Sequence, residues 1–496
     1  MIRIFLFCFL SALSFWSFAQ KDTAFVYTFG GEQDEQGRDI ELTSDNGYIM
    51  VGATSSFGSG NSDIYLVKVD SNIQFQWSKA IGHFNLEFGH AVKQTNDGGY
   101  IICGYSNSYG NGQYDGYLVK TDSAGDVVWD KYFGGFDWDK FYDLEITPDG
   151  GFLIVGETHS FGAGDADAWI VKTDSLGKQE WEKFVGGRKK DIAHALISTK
   201  DGNYAFCGER NDSIKNQQSM WFVKFDTNSS IIYNKSYNNR ENEIAYGITE
   251  LDNNSLILVG QHKHKDSTQI DESLIMTDKN GDFIKDISVF YGPRDDFLRD
   301  VIEGKNGLIF TAGFSNSFGN GANKNLFGIR SISISQNLDL IYGPVIGNGQ
   351  YTQRAYKIIE TTKGDRLIIG TYGSDNNLYT DIGITVFKTD TVAENYELDE
   401  KKPFLDISHG KPLNIQKHSI SKYSVSPNPA KDYVLISSNS ESELNRVEVF
   451  DVNGKLLANY KGDMSKIDIS KLQHGLLILK IFDDLSSPSI FKLIHE

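Results

Sequence analysis

The chain has 496 residues, a formal net charge of −18, 49 glycines, only 8 prolines and 13% aromatic residues. An acidic balance of that size disfavours general nucleic-acid binding, because a polyphosphate backbone would repel it. The aromatic content opposes disorder and the low proline opposes a collagen-like chain, which leaves many short strands joined by glycine turns.

In chain order, MIRIFLFCFLSALSFWSFAQ comes first: Arg3, an apolar run from Ile4 to about Phe15, then Ser17-Phe18-Ala19 before Gln20. A basic start, an apolar run and small residues at −3 and −1 mark a secretory signal peptide over residues 1–19, cleaved between Ala19 and Gln20. The run is too short for a permanent membrane span. No later stretch approaches 18 apolar residues, so the mature chain is expected to carry no transmembrane span.

From residue 24 the sequence repeats. Phe29-Gly30-Gly31, Ile81-Gly82-His83, Phe133-Gly134-Gly135 and Val185-Gly186-Gly187 place their central glycines 52 residues apart, and weaker copies follow at Tyr237, Tyr291 and Tyr342. A second marker is a turn and apolar strand ending at Gly52, Gly104, Gly156, Gly208, Gly260, Gly313 and Gly370. A third is the strand DIYLVKVD (63–70), DGYLVKTD (115–122), DAWIVKTD (167–174), with descendants ending at Asp226, Asp278 and Asp390.

Each unit holds four β-type runs, clearest in GHAVKQT (89–95), YIICGYS (100–106), DGYLVKT (115–121) and VVWDKYF (127–133), separated by turn-forming residues. Four strands in about 50 residues is the size of a propeller blade. Triplets of strands begin near Arg38, His90, Tyr142, His194, Tyr246, Arg299 and Tyr356; fourth strands begin near Phe25, Phe75, Val127, Gln179, Ile231, Phe283 and Leu338. The last triplet lacks a following fourth strand, and AFVYTFGG (24–31) lacks preceding partners, so pairing the two closes a ring without a free edge. The expected fold is all-β: a seven-bladed β-propeller over residues 20–390 whose N-terminal strand closes the last blade, a linker over 391–422, and a small β-sandwich over 423–496.

The repeat resembles the secreted bacterial seven-bladed propeller repeats with the unit D-A-[FW]-[VI]-x-K, S-x-G and a strand ending in [FY]-[GL]-G-G, best carried by DAWIVKTDSLGKQEWEKFVGG (167–187). The resemblance covers about residues 24–390 and weakens in the sixth unit, where RSISISQ (330–336) stands. It implies a fold and no particular activity. Packing accounts for much of the repetition: Gly52, Gly104, Gly156 and Gly208 permit a close backbone approach or a bulge, and Trp77, Trp129 and Trp181 read as interblade packing. Cys103 and Cys207 share one position in blades two apart, with a sheet between them, and are expected as buried free thiols.

After Asp390 the period stops. Residues 391–422 are polar without sustained alternation, and alternating runs return at 423–439, 447–460, 467–482 and 490–496, broken by Asn-Gly and His-Gly turns. The matching residues Ser426-Pro427-Asn428-Pro429-Ala430, Val449 to Lys455 with Gly454, Ile469-Ser470 with Leu472, Gly475 to Lys480, and Phe491-Lys492-Leu493 resemble the type A C-terminal sorting domain of type IX secretion substrates. The resemblance implies recognition by the type IX secretion machinery, removal of the domain, and a mature protein that is secreted or held on the outer cell surface.

A search for chemistry is mostly negative. There is no G-x-S-x-G elbow, no H-E-x-x-H, no zinc-spaced cysteine cluster and no Walker-type loop, so no catalytic or metal residue is assigned. His262-Lys263-His264 offers two ligands with no local third. Function is expected on the face with the longer, variable loops: SFGSGNSD (56–63), SYGNGQYD (108–115), SFGAGDAD (160–167) and SFGNGANK (317–324), with acidic connectors such as FDWDK (136–140). Phe57, Tyr109, Phe161 and Phe318 read either as stacking platforms or as plugs between blades; Asp63, Asp115 and Asp167 read either as calcium ligands or as turn caps. No cofactor is expected, and the loops lack the D-x-[DN]-x-[DN]-G calcium pattern. Arg38, His90, Tyr142, His194, Tyr246, Arg299 and Tyr356 form a ring near the mouth of a central channel, where they contact a ligand or bond between blades. The functional expectation is an exported binding scaffold for an extracellular ligand, glycan or protein. The alternative is an extracellular hydrolase or lyase acting on polysaccharide or peptide from the long-loop face.

Overall fold

The computed structural model describes residues 24–387, apart from 213–216, 264–268, 288–293, 318–327, 343–344, 347–351 and 374–378, and segments of 416–495. It divides at His418 into two compact units.

The first unit is all-β. Among the described residues its strands form seven successive antiparallel sheets of at least four strands each. The second sheet is typical: Glu87–Gln94, Tyr100–Ser106, Asp115–Thr121 and Val127–Phe133 pair in chain order. Burial within it explains its sequence. The second and third strands are covered on both faces by neighbouring sheets, so YIICGYS and DGYLVKT read as nearly continuous apolar runs. The fourth strand faces outward and keeps polar residues among exposed ones.

The turns repeat one geometry. Thr95 N donates to Gly99 O and Gly98 N to Thr95 O, with Gly98 at φ 82°. Gly150 and Gly202 hold the same place, and Asn46 and Asn254 substitute because asparagine tolerates the left-handed region.

Apolar cores lie between successive sheets. Ile49, Val51 and Leu66 of the first sheet pack on Val92, Ile102 and Val119 of the second, and Cys207 and Phe222 of the fourth on Ala245 and Leu258 of the fifth. Cys103 and Cys207 are free and buried. First strands pack on first strands around the set, including Gln353–Glu360 of the seventh sheet on Glu35–Leu42 of the first. Ala24–Gly30 pairs antiparallel with Thr380–Phe387, from Ala24 opposite Phe387 to Phe29 opposite Ile382. Thr380 then donates to Asp34, N to Oδ1 at 2.9 Å, across the start of the first sheet. This arrangement of four-stranded sheets is consistent with a propeller.

Three boundaries differ from the sequence reading. First strands start three to five residues earlier, at Glu35, Glu87, Asp139, Asp191, Glu241, Asp296 and Gln353. The sixth fourth strand starts at Leu340, because Leu338 sits in the turn at φ 64°. Gln416–Ser419, inside the stretch read as a linker, adds a strand beside Ala24–Gly30.

The second unit has two antiparallel sheets. One holds Tyr423–Ser426, Tyr433–Ser438 and Lys466–Asp468; the other holds Leu456–Tyr460, Leu444–Phe450, Gly475–Asp483 and Ser489–His495. Val434, Ile436 and Ile467 from the first meet Val447, Val449, Leu477 and Leu479 from the second in one core.

Candidate functional site: a ring of bulges and the long-loop face

Each first strand slips register at one shared position, where the residue left over is the large polar one, and the first strand of the fifth sheet slips a second time between Glu241 and Ile244. The slips flank Arg38, His90, Tyr142, His194, Tyr246, Arg299 and Tyr356. A bulge takes its residue out of the ladder and re-aims the side chain. All seven line one cavity of about 450 Å³. The recurrent glycine of the second strand follows from the same geometry: a Cβ on Gly156 would run into the carbonyl oxygen of Lys140, and one on Gly104 into that of Phe88.

The ring is a belt of groups in edge-on, tilted and cation–π contact. His90 meets Tyr142 at 4.9 Å, Tyr142 meets His194 at 5.7 Å, and His194 meets Tyr246 at 4.9 Å, between ring centroids. Arg299 lies over Tyr246 at 3.8 Å and Arg38 over Tyr356 at 4.1 Å. Burial, with Arg38 nearby, pushes the His90 imidazolium well below its usual range, and burial takes His194 down to about 3. Both imidazoles are therefore neutral at pH 7. The phenol of Tyr142 donates to Glu157 Oε1 at 2.7 Å.

The residues after three of the bulges fasten neighbouring sheets. Asp39 Oδ2 accepts from Val92 N at 2.9 Å, Asp143 Oδ2 from Leu196 N at 2.7 Å, and Asp300 Oδ2 from Ile358 N at 3.0 Å. Lys357 Nζ stands 3.4 Å from Asp300 Oδ1. Bonding between sheets and an open cavity thus occur together at this ring.

On the long-loop face, Phe57 stacks on Tyr65 at 5.6 Å and Phe161 on Phe184 at 5.4 Å. Their rings sit where Cβ atoms on Gly31 and Gly135 would crowd them, which accounts for the paired glycines of those connectors. In the second sheet His83 replaces the second glycine, and Tyr109 meets it edge-on at 4.6 Å and Phe84 at 5.2 Å. Phe318 lies outside the described residues. Asp63 caps Gly60 N at 3.0 Å, Asp115 caps Gly112 N at 3.1 Å and Asp167 caps Ala163 N at 2.8 Å, as turn acceptors do. These carboxylates are fully buried, and each faces a second buried acid across a connector glycine, as Asp63 faces Glu87 at Gly82. Among the described residues, no cluster of three or more metal-ligating side chains occurs. His262 is buried in its strand.

One group joins Tyr109, a candidate from sequence, to three aromatics that were not singled out there. Phe136 is 90% exposed, Phe84 58%, Tyr109 48% and Trp138 39%. They flank the loop of the second sheet that carries Tyr109 and Tyr114. Trp138 meets Tyr114 at 5.5 Å and donates Nε1–H to Gln113 at 2.8 Å. Lys140 Nζ lies 4.7 Å from the Trp138 ring and 5.1 Å from the Tyr105 ring. The signal was present in FDWDK (136–140), where the two aromatics alternate with the acids.

Residues 424–495 match the family described as secretion system C-terminal sorting domain. The C-terminal unit is a type IX sorting domain. It directs the chain to the cell surface or the medium and implies contact with the secretion machinery. Of its motif, Lys455 is exposed, Gly475 opens its strand and Lys492 pairs with Ile478; Pro427, Asn428, Pro429 and Gly454 lie outside the described residues, as do Ala19 and Gln20. Among the described residues no helix is long and apolar enough to cross a membrane.

No curated protein matches the chain in sequence. Among solved structures it is similar to PorZ, a surface component of the type-IX secretion system of Porphyromonas gingivalis, at 10% identity and TM-score 0.35, over 95% of this chain and 70% of that one. It is also similar to Sqt1 of Chaetomium thermophilum at 10% identity and TM-score 0.42, over 75% and 99%. A puromycin hydrolase follows at 13% identity and TM-score 0.43, over 68% and 50%. Likenesses this distant carry no functional conclusion.

Proposed function

We propose that the chain is an exported seven-bladed β-propeller with a small C-terminal β-sandwich, and that the propeller is a binding scaffold for an extracellular glycan or protein. The ligand is held on the long-loop face. One observation carries this reading: Phe84, Tyr109, Phe136 and Trp138 crowd one loop and its two connectors while keeping large exposed areas. Exposed apolar rings grouped this way are unfavourable in water unless something covers them. Flat rings beside polar groups suit stacking on sugar or peptide faces. Phe57 and Phe161 belong to the same face as supports of its loops.

The test is a glycan and surface-protein array probed with the exported chain and with Phe136→Ala and Trp138→Ala. Both variants should keep the melting temperature within a few degrees, since the residues are exposed, and should lose about tenfold in binding, roughly 1–2 kcal/mol for each anchor. Undiminished binding by both would overturn this placement of the site.

A further inference from the structure

The central cavity has chemistry of its own, apart from the outer aromatic face. Two of its ring residues carry guanidiniums, Arg38 and Arg299, and they reach it from the first and sixth sheets with Tyr356 of the seventh between them. Among the described residues, neither Nε–H finds a hydrogen-bond partner although both are buried. Arg38 Nη2 donates to the neutral Gln36 Oε1 at 3.2 Å, but a guanidinium Nε–H removed from water without an acceptor is costly, and buried charges are normally paired with an opposite charge. The carboxylates that line the same cavity do not meet this need. Asp39, Asp143 and Asp300 spend their oxygens on Val92, Leu196 and Ile358 of the next sheet, and Lys357 adds a cation among them. Glu157, outside the cavity lining, is held by Tyr142, with Lys140 Nζ at 3.7 Å.

We propose that the cavity is a binding site for a small organic carboxylate, gripped by the guanidiniums of Arg38 and Arg299. Its volume of about 450 Å³ lies within the range of small-molecule pockets, roughly 300–1,000 Å³. The donor geometry of arginine matches a carboxylate fork. Tyr142, Tyr246, Tyr356 and the neutral His90 and His194 supply flat walls and neutral donors, so a ligand carrying a ring and hydroxyls is accommodated behind its acid group. The acid is either a free small molecule or the uronate end of a glycan.

The experiment is isothermal titration of the exported chain at pH 7 with D-glucuronate, acetate and D-glucose. Glucuronate should bind and glucose should not; acetate binding as tightly as glucuronate assigns recognition to the carboxylate of a free acid, and weaker acetate binding assigns it to a uronate. Arg299→Gln and Arg38→Gln should each weaken binding roughly 10- to 100-fold, the loss of a charged hydrogen bond. Arg299→Lys keeps the charge without the fork and should fall between. Melting curves show which variants are folded, and either arginine suffices to read the effect. No heat with glucuronate or acetate means the cavity holds water only and overturns the proposal, as does equal binding of glucose or wild-type affinity in the folded variants. Trp138→Ala should leave carboxylate binding unchanged, which separates this site from the outer face.

Discussion

Gly156 opposes the bulge at Tyr142, and the Lys140 carbonyl occupies the space a Cβ would need. Backbone atoms in a paired ladder cannot step aside as a side chain can. Gly156→Ala should therefore destabilise by about 2–3 kcal/mol, in the range of overpacked cores; denaturant melts would measure it, and a loss below 0.5 kcal/mol would contradict the steric account. The ring side chains were legible in sequence as one recurrent position, because a repeat multiplies every signal. The strand ends above them were not. A bulge inserts one residue, so the alternation upstream of Arg38 or His90 runs in the opposite phase to that downstream, and a period-two reading stops there.

At the scale of the element, the third strand of each of the first four sheets carries a buried lysine one residue before its end. Lys172 Nζ contacts Asp149 at 3.0 Å, Glu180 at 2.9 Å and the Thr173 carbonyl at 2.8 Å. Lys68, Lys120 and Lys224 repeat the contact with Asp45, Asp97 and Asp201. Asp149 also accepts from Thr147 and from Gly151 N, so it shapes the turn as well as holding the ammonium. Removing one partner of such a pair costs more than replacing the buried cation by an apolar chain of similar length. Asp149→Ala should lower the melting temperature more than Lys172→Met does; the reverse order in calorimetry would sink this account. The closing strand is a second test. Deleting residues 20–31 leaves Thr380–Phe387 with an open edge, and the shortened chain should melt lower and aggregate; an unchanged melting curve would refute closure through that pairing.

For the whole molecule, two sets of carboxyl groups pull stability in opposite directions with pH. Hydrogen bonds from Thr95 and Thr147, with Lys120 and Lys172, hold Asp97 and Asp149 down at about 2, against an ordinary 3.8. Their contribution is present above pH 4 and is lost as pH falls through 2; both side chains are largely exposed, so it is screened and modest. Burial lifts Asp39 and Glu272 to about 7, against the opposing pull of Lys357 on Asp39 and of Arg330 on Glu272. Their folded forms bind protons more tightly than the unfolded chain, so stability falls as pH rises from 4 toward 7. Melting temperatures taken from pH 2 to 8 should peak near pH 4–5. A monotonic rise from pH 4 to 8 would contradict the raised set.

The amino-acid order by itself determined the repeat, the all-β class, the pairing of residues 24–31 with the last copy, the free thiols and the sorting domain. Each of these rests on local periodicity or on a contiguous motif, and such signals survive without knowledge of neighbours. Only the tertiary structure decided which polar groups are spent and which remain available. Asp63 and Asp39 turned inward to cap amides, while Arg38 and Arg299 kept a free Nε–H beside a cavity. The exposed rings of Phe136 and Trp138 likewise became visible only once the second and third sheets stood side by side. Hydrogen-bond satisfaction and exposure depend on atoms roughly 50 residues apart in the chain, and no linear pattern encodes that distance.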